Sequence, residues 1–294
     1  MRIALMHNPS AGSEDHSADE LIEQIRRAGH EVVAHFSKVA DLSATALQRQ
    51  NCDLVVVAGG DGTVDEAALA LAGSGLPLTI LPLGTANNIA RSFGLMREER
   101  ELIAAWGSGA IRALDIGALT IGGASERFVE AVGFGVFPDV MKDAKSLPEP
   151  GPGDALERDR QLFKAQVEDA RLVSYDILID GEDVSGIYLL VEVMKVPLLG
   201  PNLPLASRCE PGDGKLHVVL VDDERRRVLL DSIEDVRRGQ PPRTAVPVRS
   251  GSRVTISSEE SRYHRDGKVY PCAPRASFDL SVQPGDVRVL TVSR

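Results

Sequence analysis

The chain has 294 residues and a formal net charge of −10 at pH 7, a length that accommodates two domains. The acidic balance argues against a general nucleic-acid-binding protein. The three cysteines, Cys52, Cys209 and Cys272, are far apart and odd in number, which is typical of reduced thiols in a cytoplasmic protein. No apolar run approaches the roughly 20 residues of a membrane-spanning helix, and the apolar run at the N-terminus is too short for a signal peptide.

The first hundred residues alternate between strand and helix patterns. Strands are predicted at 2–7, 31–36, 54–58 and 77–81, and helices at 17–28, 42–49, 65–72 and 98–106. Strand–helix alternation of this kind predicts a doubly wound parallel sheet.

A glycine-rich loop follows the strand predicted at 54–58. Gly-Gly-Asp-Gly-Thr at 59–63 leads directly into a helix, and this layout suits an anion, because glycines admit close backbone approach and the helix N-terminus offers N–H groups. Asp61 lies within the loop, where a carboxylate can meet a metal ion or take a proton from a substrate hydroxyl. A tight turn with Asp61 on the surface is the alternative.

A second loop strengthens the first interpretation. The strand at 77–81 ends in Pro-Leu-Gly-Thr-Ala-Asn-Asn at 82–88, which again turns into a helix. Neighbouring parallel strands end at the same edge of a sheet, and open α/β sheets bind ligands there. We therefore expect the two loops to lie side by side.

These motifs resemble the diacylglycerol kinase catalytic-domain family, which includes bacterial lipid kinases and sphingosine kinases. The 59–63 motif is shared with NAD kinases, whereas Leu-Pro-Leu-Gly-Thr-Ala-Asn-Asn-Ile-Ala at 81–90 is more selective for lipid kinases. Asn-Pro-Ser-Ala-Gly at 8–12 matches the opening of the family. The resemblance is strong over residues 1–117 and patchy beyond them.

The resemblance implies an ATP-dependent kinase that uses Mg²⁺. It implies nucleotide contacts from the three loops and from the end of the second strand, at Asn8, Ser37, Gly59, Gly60, Asp61, Gly62, Thr63, Val64, Asp65, Thr85 and Asn87. From its own segment, Asn8 is equally well explained as a turn residue.

The rest of the chain predicts a second domain, in which strands are more common than helices. Alternating strands predominate, at 127–132, 175–179, 187–193, 215–221, 253–257 and 276–280. Residues 138–159 are predicted as a surface loop, which is followed by a helix at 156–172. The loop contains a Pro/Gly-rich stretch at 148–153, whose role the sequence does not indicate. The predicted fold is α/β: a doubly wound parallel domain at 1–117, then a mostly antiparallel β-sandwich at 118–285, with a last strand near 286–294 that returns to the first domain.

The catalytic set implied by the resemblance is completed in the second half of the chain. Asp115 matches an Asp-x-Gly of the family that lies near the active-site metal, although a hinge aspartate that caps a turn is the alternative. Asp266-Gly267 is a hairpin turn signal by default. Bacterial members usually have Asp-Gly-Glu here, which makes Asp266 the candidate base, and Lys268 replaces the glutamate. A lysine of ordinary pKa is protonated and cannot accept a proton, although it can hold a phosphate.

A metal site is the further implication for residues 210–216. Several bacterial relatives hold a structural Mg²⁺ in this region, and Glu210, Asp213 and a backbone carbonyl near Lys215 or Leu216 are oxygen donors of the kind that a hard cation requires. An ordinary Asp-Gly turn is the alternative.

The sequence thus favours an ATP-dependent kinase for a lipid hydroxyl, of a diacylglycerol or a sphingoid base. Such a protein would be cytoplasmic and visit the membrane surface without crossing it; Arg225, Arg226, Arg227, Arg237 and Arg238 are candidates for a lipid-facing patch, with a solvated face as the alternative. Two other functions stay open: a catalytically impaired nucleotide- or lipid-binding protein, motivated by Lys268, and a kinase for a soluble small molecule. The sequence leaves the oligomeric state open, a homodimer included.

Overall fold

A computed structural model describes residues 1–12, 17–148, 151, 153–243 and 246–292. The chain divides into two compact units, each with its own core: Met1–Ile116 with Pro284–Arg294, the first unit, and Gly117–Gln283, the second unit. Two long strands carry the chain from one unit to the other.

The first unit alternates between strands and helices. Its elements are β1 (Arg2–His7), α1 (Ala18–Arg27), β2 (Glu31–Phe36), α2 (Ala44–Arg49), β3 (Leu54–Gly59), α3 (Asp61–Leu71), β4 (Leu78–Pro82), α4 (Asn88–Ser92), α5 (Glu99–Ala105) and β5 (Ala110–Ile121), which runs on into the second unit. Short 3₁₀ turns lie at Val39–Asp41 and Trp106–Ser108.

The second unit is built mainly from strands. Its elements are β6 (Ala124–Phe128), β7 (Ala131–Gly135), α6 (Val136–Ser146), α7 (Ala155–Asp169), β8 (Val173–Ile179), β9 (Glu182–Asp183), β10 (Gly186–Tyr188), β11 (Leu190–Met194), β12 (Leu216–Val221), α8 (Asp223–Arg237), β13 (Val248–Gly251), β14 (Arg253–Ser258), β15 (Arg262–Arg265), β16 (Lys268–Pro271) and β17 (Ser277–Thr291), whose end belongs to the first unit.

The sheet of the first unit has the strand order β2-β1-β3-β4, with the end of β17 beside β4. Each of these neighbours is parallel. β3 is apolar and buried along its whole length, as a central strand covered on both faces must be. The strand order reverses between β1 and β3, so a crevice opens at their carboxyl ends.

The second unit contains two packed sheets and a layer of helices. β10-β8-β14-β17 form one sheet, and β13-β12-β11-β7-β15-β16 form another that is antiparallel throughout. The core between the sheets includes Phe134, Tyr175 and Phe278. The phenyl rings of Phe134 and Phe278 pack edge to face, with their centroids 4.8 Å apart. The opposite face of the second sheet packs against α6, α7 and α8 through side chains such as Phe163 and Ile233.

These observations confirm the predicted α/β fold, with a parallel sheet followed by an antiparallel sandwich. The prediction of a loop over 138–159 is wrong, because α6 and the start of α7 occupy most of it. Glu149, Pro150 and Pro152 of the Pro/Gly-rich stretch lie outside the described residues. α8 was not predicted, although Asp222 caps it and Leu229 and Ile233 provide its buried face at helical spacing.

Candidate active site

Three loops of the first unit meet at the carboxyl edge of its sheet. They follow β1, β3 and β4, and backbone hydrogen bonds join them to the sheet: the Asn8 N–H donates to the Ala58 carbonyl at 3.0 Å and the Leu83 N–H to the Gly59 carbonyl at 3.2 Å. Between the loops lies a cavity of about 390 Å³, lined by Asn8, Ala11, Gly12, Gly60, Asp61, Gly62, Thr63, Glu66, Gly84 and Thr85.

The loops touch backbone to backbone. A Cβ atom added to Gly84 would lie 2.4 Å from the Cα of Gly60, and one added to Gly12 would lie 2.2 Å from the Leu83 carbonyl oxygen. Gly12 also has a φ of +71°, a conformation that favours glycine. Glycine at these positions therefore sets how closely the three loops approach, and so the shape of the cavity.

Asn8 connects the first loop to the second. Its side-chain Nδ2 donates to the Thr63 hydroxyl at 2.9 Å, while its Oδ1 accepts from the N–H and the hydroxyl of Ser10 at 3.1 and 2.9 Å. Asn8 thus serves as a turn residue and also orients Thr63 at the cavity. The two interpretations of this residue from sequence are compatible.

Asp61 is the first residue of α3 and lines the cavity. Its carboxylate also accepts a hydrogen bond from the Ile89 N–H at 3.0 Å, at the start of α4. Burial raises the pKa of the Asp61 carboxyl, and the backbone N–H groups of Ile89, Asn88 and Asn87 act in the opposite direction. Asp61 therefore has a structural contact with the third loop in addition to its position at the cavity.

Asn87 shapes the third loop from within. Its backbone is left-handed, with φ of 53°, and its side chain is buried. Its Oδ1 accepts from the Gly84 N–H at 2.9 Å, and its Nδ2 donates to the Gly84 carbonyl at 2.6 Å. The side-chain amide is therefore engaged by its own loop, and Thr85 is the member of this loop that lines the cavity.

The remaining predicted nucleotide residues do not line the cavity. Gly59 ends β3, and Val64 and Asp65 are buried on α3. Ser37 follows β2 and is exposed. Ala11, Gly12 and Gly84 lie within the loops predicted to hold the nucleotide but were not singled out, and Glu66 was missed; Glu66 lies one helical turn after Gly62, on the same side of α3.

The other two carboxylates of the predicted catalytic set bind backbone N–H groups. Asp115 is fully buried in the first unit and accepts from the Gly285 N–H at 2.6 Å, as a turn-capping aspartate would. Asp266, in the second unit, lies in the β15–β16 hairpin with φ of 43°. Its carboxylate accepts from the N–H groups of Val129, Glu130 and Ala131 at 2.8, 2.8 and 3.1 Å.

The pKa of Asp266 reflects two opposing effects. Burial raises the pKa of its carboxyl above its ordinary value, although the three N–H donors, which stabilise the charged form, act in the opposite direction. Lys268, two residues later, is exposed on β16. The hairpin predicted from Asp-Gly is therefore present, and its aspartate fastens the hairpin to the start of β7.

Asp213, one of the two predicted metal ligands, already has partners within the protein. Asp213 binds the Lys215 N–H at 3.0 Å through Oδ1 and the His217 ring at 2.8 Å through Oδ2, and the Lys195 ammonium lies 3.8 Å from Oδ1. Glu210 is exposed. Across the described ranges 1–12, 17–148, 151, 153–243 and 246–292, no three His, Cys, Asp or Glu side chains are grouped to hold a metal. The metal at Glu210 and Asp213 stays a prediction, and in this structure the Asp213 carboxylate is engaged by the His217 ring and the Lys215 N–H.

The arginines proposed for a lipid-facing patch are all paired with carboxylates on or near α8. Arg225 pairs with Asp222, Arg226 with Asp223, Arg227 with Asp231, Arg237 with Glu157 and Glu234, and Arg238 with Glu234. This arrangement matches the alternative of a solvated face. No helix in the described part of the chain is long and apolar enough to span a membrane.

Comparison with known proteins agrees with this architecture. Residues 2–119 match the family model of the diacylglycerol kinase catalytic domain, and residues 164–291 match that of the YegS C-terminal NAD kinase beta sandwich-like domain. A diacylglycerol kinase of Mycobacterium tuberculosis is 25% identical over 250 residues, which are 81% of this chain and 79% of that protein. The resemblance predicted from the motifs is thus confirmed.

Solved structures show the same fold. A diacylglycerol kinase from Bacillus anthracis has a TM-score of 0.71 at 20% identity, with 99% of this chain and 96% of that chain covered. An NAD kinase from Archaeoglobus fulgidus, solved in complex with ATP, has a TM-score of 0.50 at 14% identity, with 100% and 94% covered.

The role assigned to Asn87 can be tested by hydrogen exchange. Asn87→Gly keeps the left-handed backbone but removes the side-chain hydrogen bonds, each worth about 1 kcal/mol. We expect the amide of Gly84 to exchange roughly fivefold faster or more, because it loses its acceptor. Asn51→Gly is the matched control, since Asn51 also has a positive φ but is exposed. Unchanged exchange at Gly84 would contradict the assignment.

Proposed function

We propose that this chain, whose residues 2–119 belong to the diacylglycerol kinase catalytic domain family, transfers a phosphoryl group from ATP to a lipid hydroxyl. The observation that carries the proposal is the glycine-lined cavity at the carboxyl ends of β1, β3 and β4, with the carboxylate of Asp61 on its wall. Phosphoryl transfer depends on positioning and charge stabilisation more than on covalent catalysis by side chains, and this cavity suits both needs.

The nucleotide phosphates would lie against the backbone of the glycine loops. Gly60 and Gly62 flank the start of α3, where N–H groups and the helix dipole favour an anion. Thr63 and Thr85 add hydroxyl groups to the cavity wall, and Asn8 holds Thr63 in place. Gly59, Val64, Asp65 and Asn87 would then act indirectly, by building the loops that carry these groups, and Ser37 would stand at the periphery.

Asp61 and Glu66 are the acidic residues of the cavity wall and would hold Mg²⁺. The donor set fits, because carboxylate oxygens beside a phosphate site are the environment that Mg²⁺ takes in such enzymes. When bound, Mg²⁺ supplies positive charge against the transferring phosphoryl group. Asp61 would also orient the acceptor hydroxyl at the cavity.

Asp266 and Asp115 would have structural roles, since each carboxylate binds backbone N–H groups. The Asp266 carboxylate is engaged by three backbone N–H groups and the Asp115 carboxylate by the Gly285 N–H, whereas Asp61 lines the cavity. We therefore propose Asp61 as the principal catalytic carboxylate and Asp266 as the holder of the hairpin that carries Lys268.

The acceptor would be a hydroxyl on diacylglycerol or a related lipid. The proposal rests on the relatives that are named diacylglycerol kinases and on the two family models. The first unit would bind the nucleotide and the second unit the lipid. Such an enzyme would be cytoplasmic and associate with the membrane surface only transiently.

A kinase assay with lipid acceptors tests this function. Purified protein, labelled ATP and Mg²⁺ would be combined with mixed micelles of diacylglycerol, monoacylglycerol or sphingosine, and with soluble acceptors including NAD. We expect labelled lipid, and a loss of about a hundredfold or more in Asp61→Asn, because a preorganised charge at the reacting centre is removed. Asp41→Asn is the control, since Asp41 is exposed on a 3₁₀ turn of the same unit.

The assay can contradict the proposal in two ways. Label on a soluble acceptor alone would indicate a small-molecule kinase. ATP binding without labelled product would favour the nucleotide-binding protein that lacks efficient catalysis.

Lys268→Glu tests whether the lysine impairs catalysis. Lys268 is exposed, and we assign the chemistry to the cavity of the first unit, so we expect the rate to change by less than about tenfold, or roughly 1.4 kcal/mol. Lys142→Glu is the control, because it reverses another exposed charge in the second unit, which also contains Lys268. A gain far above tenfold would favour the impaired-protein alternative, and a comparable loss would give Lys268 a catalytic part of its own.

A further inference from the structure

Lys195 is a fully buried lysine in the second unit, with no exposed surface. It follows β11, and its backbone N–H donates to the Glu130 carbonyl at 2.8 Å. Met194 pairs with His217 across β11 and β12, so the register places Lys195 beside the entry to β12. A buried ammonium group is costly unless it is compensated by hydrogen bonds or by opposite charge.

The compensation comes from the segment 209–216, which we call the cation loop. The Lys195 Nζ donates to the Lys215 carbonyl oxygen at 2.5 Å and lies 3.8 Å from the Asp213 carboxylate. Gly214, with φ of +72°, allows the turn that brings the Asp213 side chain and the Lys215 carbonyl to one side. The loop thus presents a carboxylate and a carbonyl to a single positive charge.

Asp213 is fixed from its other side as well. Its Oδ2 binds the His217 Nε2 at 2.8 Å, and the His217 Nδ1 lies 3.1 Å from the Ser250 hydroxyl. The Lys215 N–H donates to Asp213 Oδ1 at 3.0 Å. The carboxylate is therefore held by the His217 ring and by one backbone N–H, and its Oδ1 lies 3.8 Å from the Lys195 ammonium.

A carboxylate and a carbonyl are also the donors that a hard divalent cation prefers, but such an ion needs about six oxygen atoms within roughly 2.6 Å. Here the ammonium already occupies the Lys215 carbonyl, and its charge would repel a second cation at this distance. We infer that Lys195 supplies the cation of this loop from within the chain, so that the loop is complete without a divalent ion and becomes a divalent-cation site only when the lysine is removed.

The inference is independent of the proposed kinase activity, and its test does not measure that activity. Nucleotide-free protein would be dialysed against EDTA and its thermal unfolding followed with and without Ca²⁺, whose flexible coordination suits an unoptimised site. Four proteins are compared: wild type, Lys195→Ala, the double variant Lys195→Ala/Asp213→Asn, and the exposed control Lys142→Ala.

We expect Ca²⁺ to leave the melting temperature of wild type and of Lys142→Ala unchanged. Lys195→Ala should melt lower by on the order of 10 °C, because an uncompensated carboxylate is left beside the core. Ca²⁺ should restore part of that loss in Lys195→Ala and none in the double variant. The inference would be overturned if Lys195→Ala had the same melting temperature as wild type, or if Ca²⁺ left the melting temperature of Lys195→Ala unchanged.

A second measurement covers the case in which Lys195→Ala does not fold. Wild type and Asp213→Asn would each be dialysed against Mn²⁺ without nucleotide, and the bound metal counted. Equal Mn²⁺ binding by the two proteins supports an internal cation, because no ion then depends on Asp213. Mn²⁺ that wild type binds and Asp213→Asn does not would overturn it.

Discussion

The close approach of two backbones, at Gly60 and Gly84, is the constraint on which the candidate site depends. The loops after β3 and β4 can lie side by side only because neither residue has a side chain at the contact. Their proximity lets Asp61, on one loop, accept a hydrogen bond from Ile89 beyond the other. The cavity therefore depends on the strand order and on glycine at positions 60 and 84. The close approach of these two loops also allows the hydrogen bond that holds Asp61.

The second unit is organised by charges that are fixed inside the protein. Asp266 fastens a hairpin to the start of β7 through three backbone N–H groups, and Lys195 compensates the carboxylate of Asp213 at the entry to β12. A third pair, Glu192 and His264, is wholly buried on strands to either side of β7, with His264 Nε2 2.8 Å from a Glu192 oxygen. Such groups cost free energy to bury, and each is compensated by hydrogen bonds or by an opposite charge nearby.

Much of the candidate site was predictable because its information is local in sequence. A β-branched strand, a glycine cluster and a helix start are consecutive at 54–65, and parallel strands place their carboxyl ends together. The role of Asn87 was not predictable, since nothing in the motif tells whether its amide faces a ligand or its own loop. α8 was predictable from its capping aspartate and from its apolar residues at helical spacing, but its arginines were interpreted only for their charge.

The cation loop illustrates the limit of motif reasoning. Glu210 and Asp213 have the chemistry of metal ligands, but Lys195 lies on another strand, and only the pairing of β11 with β12 brings its ammonium to the loop. A ligand set read from one segment cannot reveal a competing cation from a distant one. The same limit applies to Asp266, whose three N–H partners lie more than 130 residues earlier in the chain.

The central claim is that the space between the glycine loops is the ATP site, and calorimetric titration of Gly84→Ala with ATP and Mg²⁺ tests it most directly. A methyl group at Gly84 would meet the Cα of Gly60 and force the loops apart, whereas Gly107→Ala places its methyl in open space. We expect Gly84→Ala to lose ATP affinity by at least about tenfold and Gly107→Ala to bind like wild type. Wild-type affinity in a folded Gly84→Ala protein would contradict the claim.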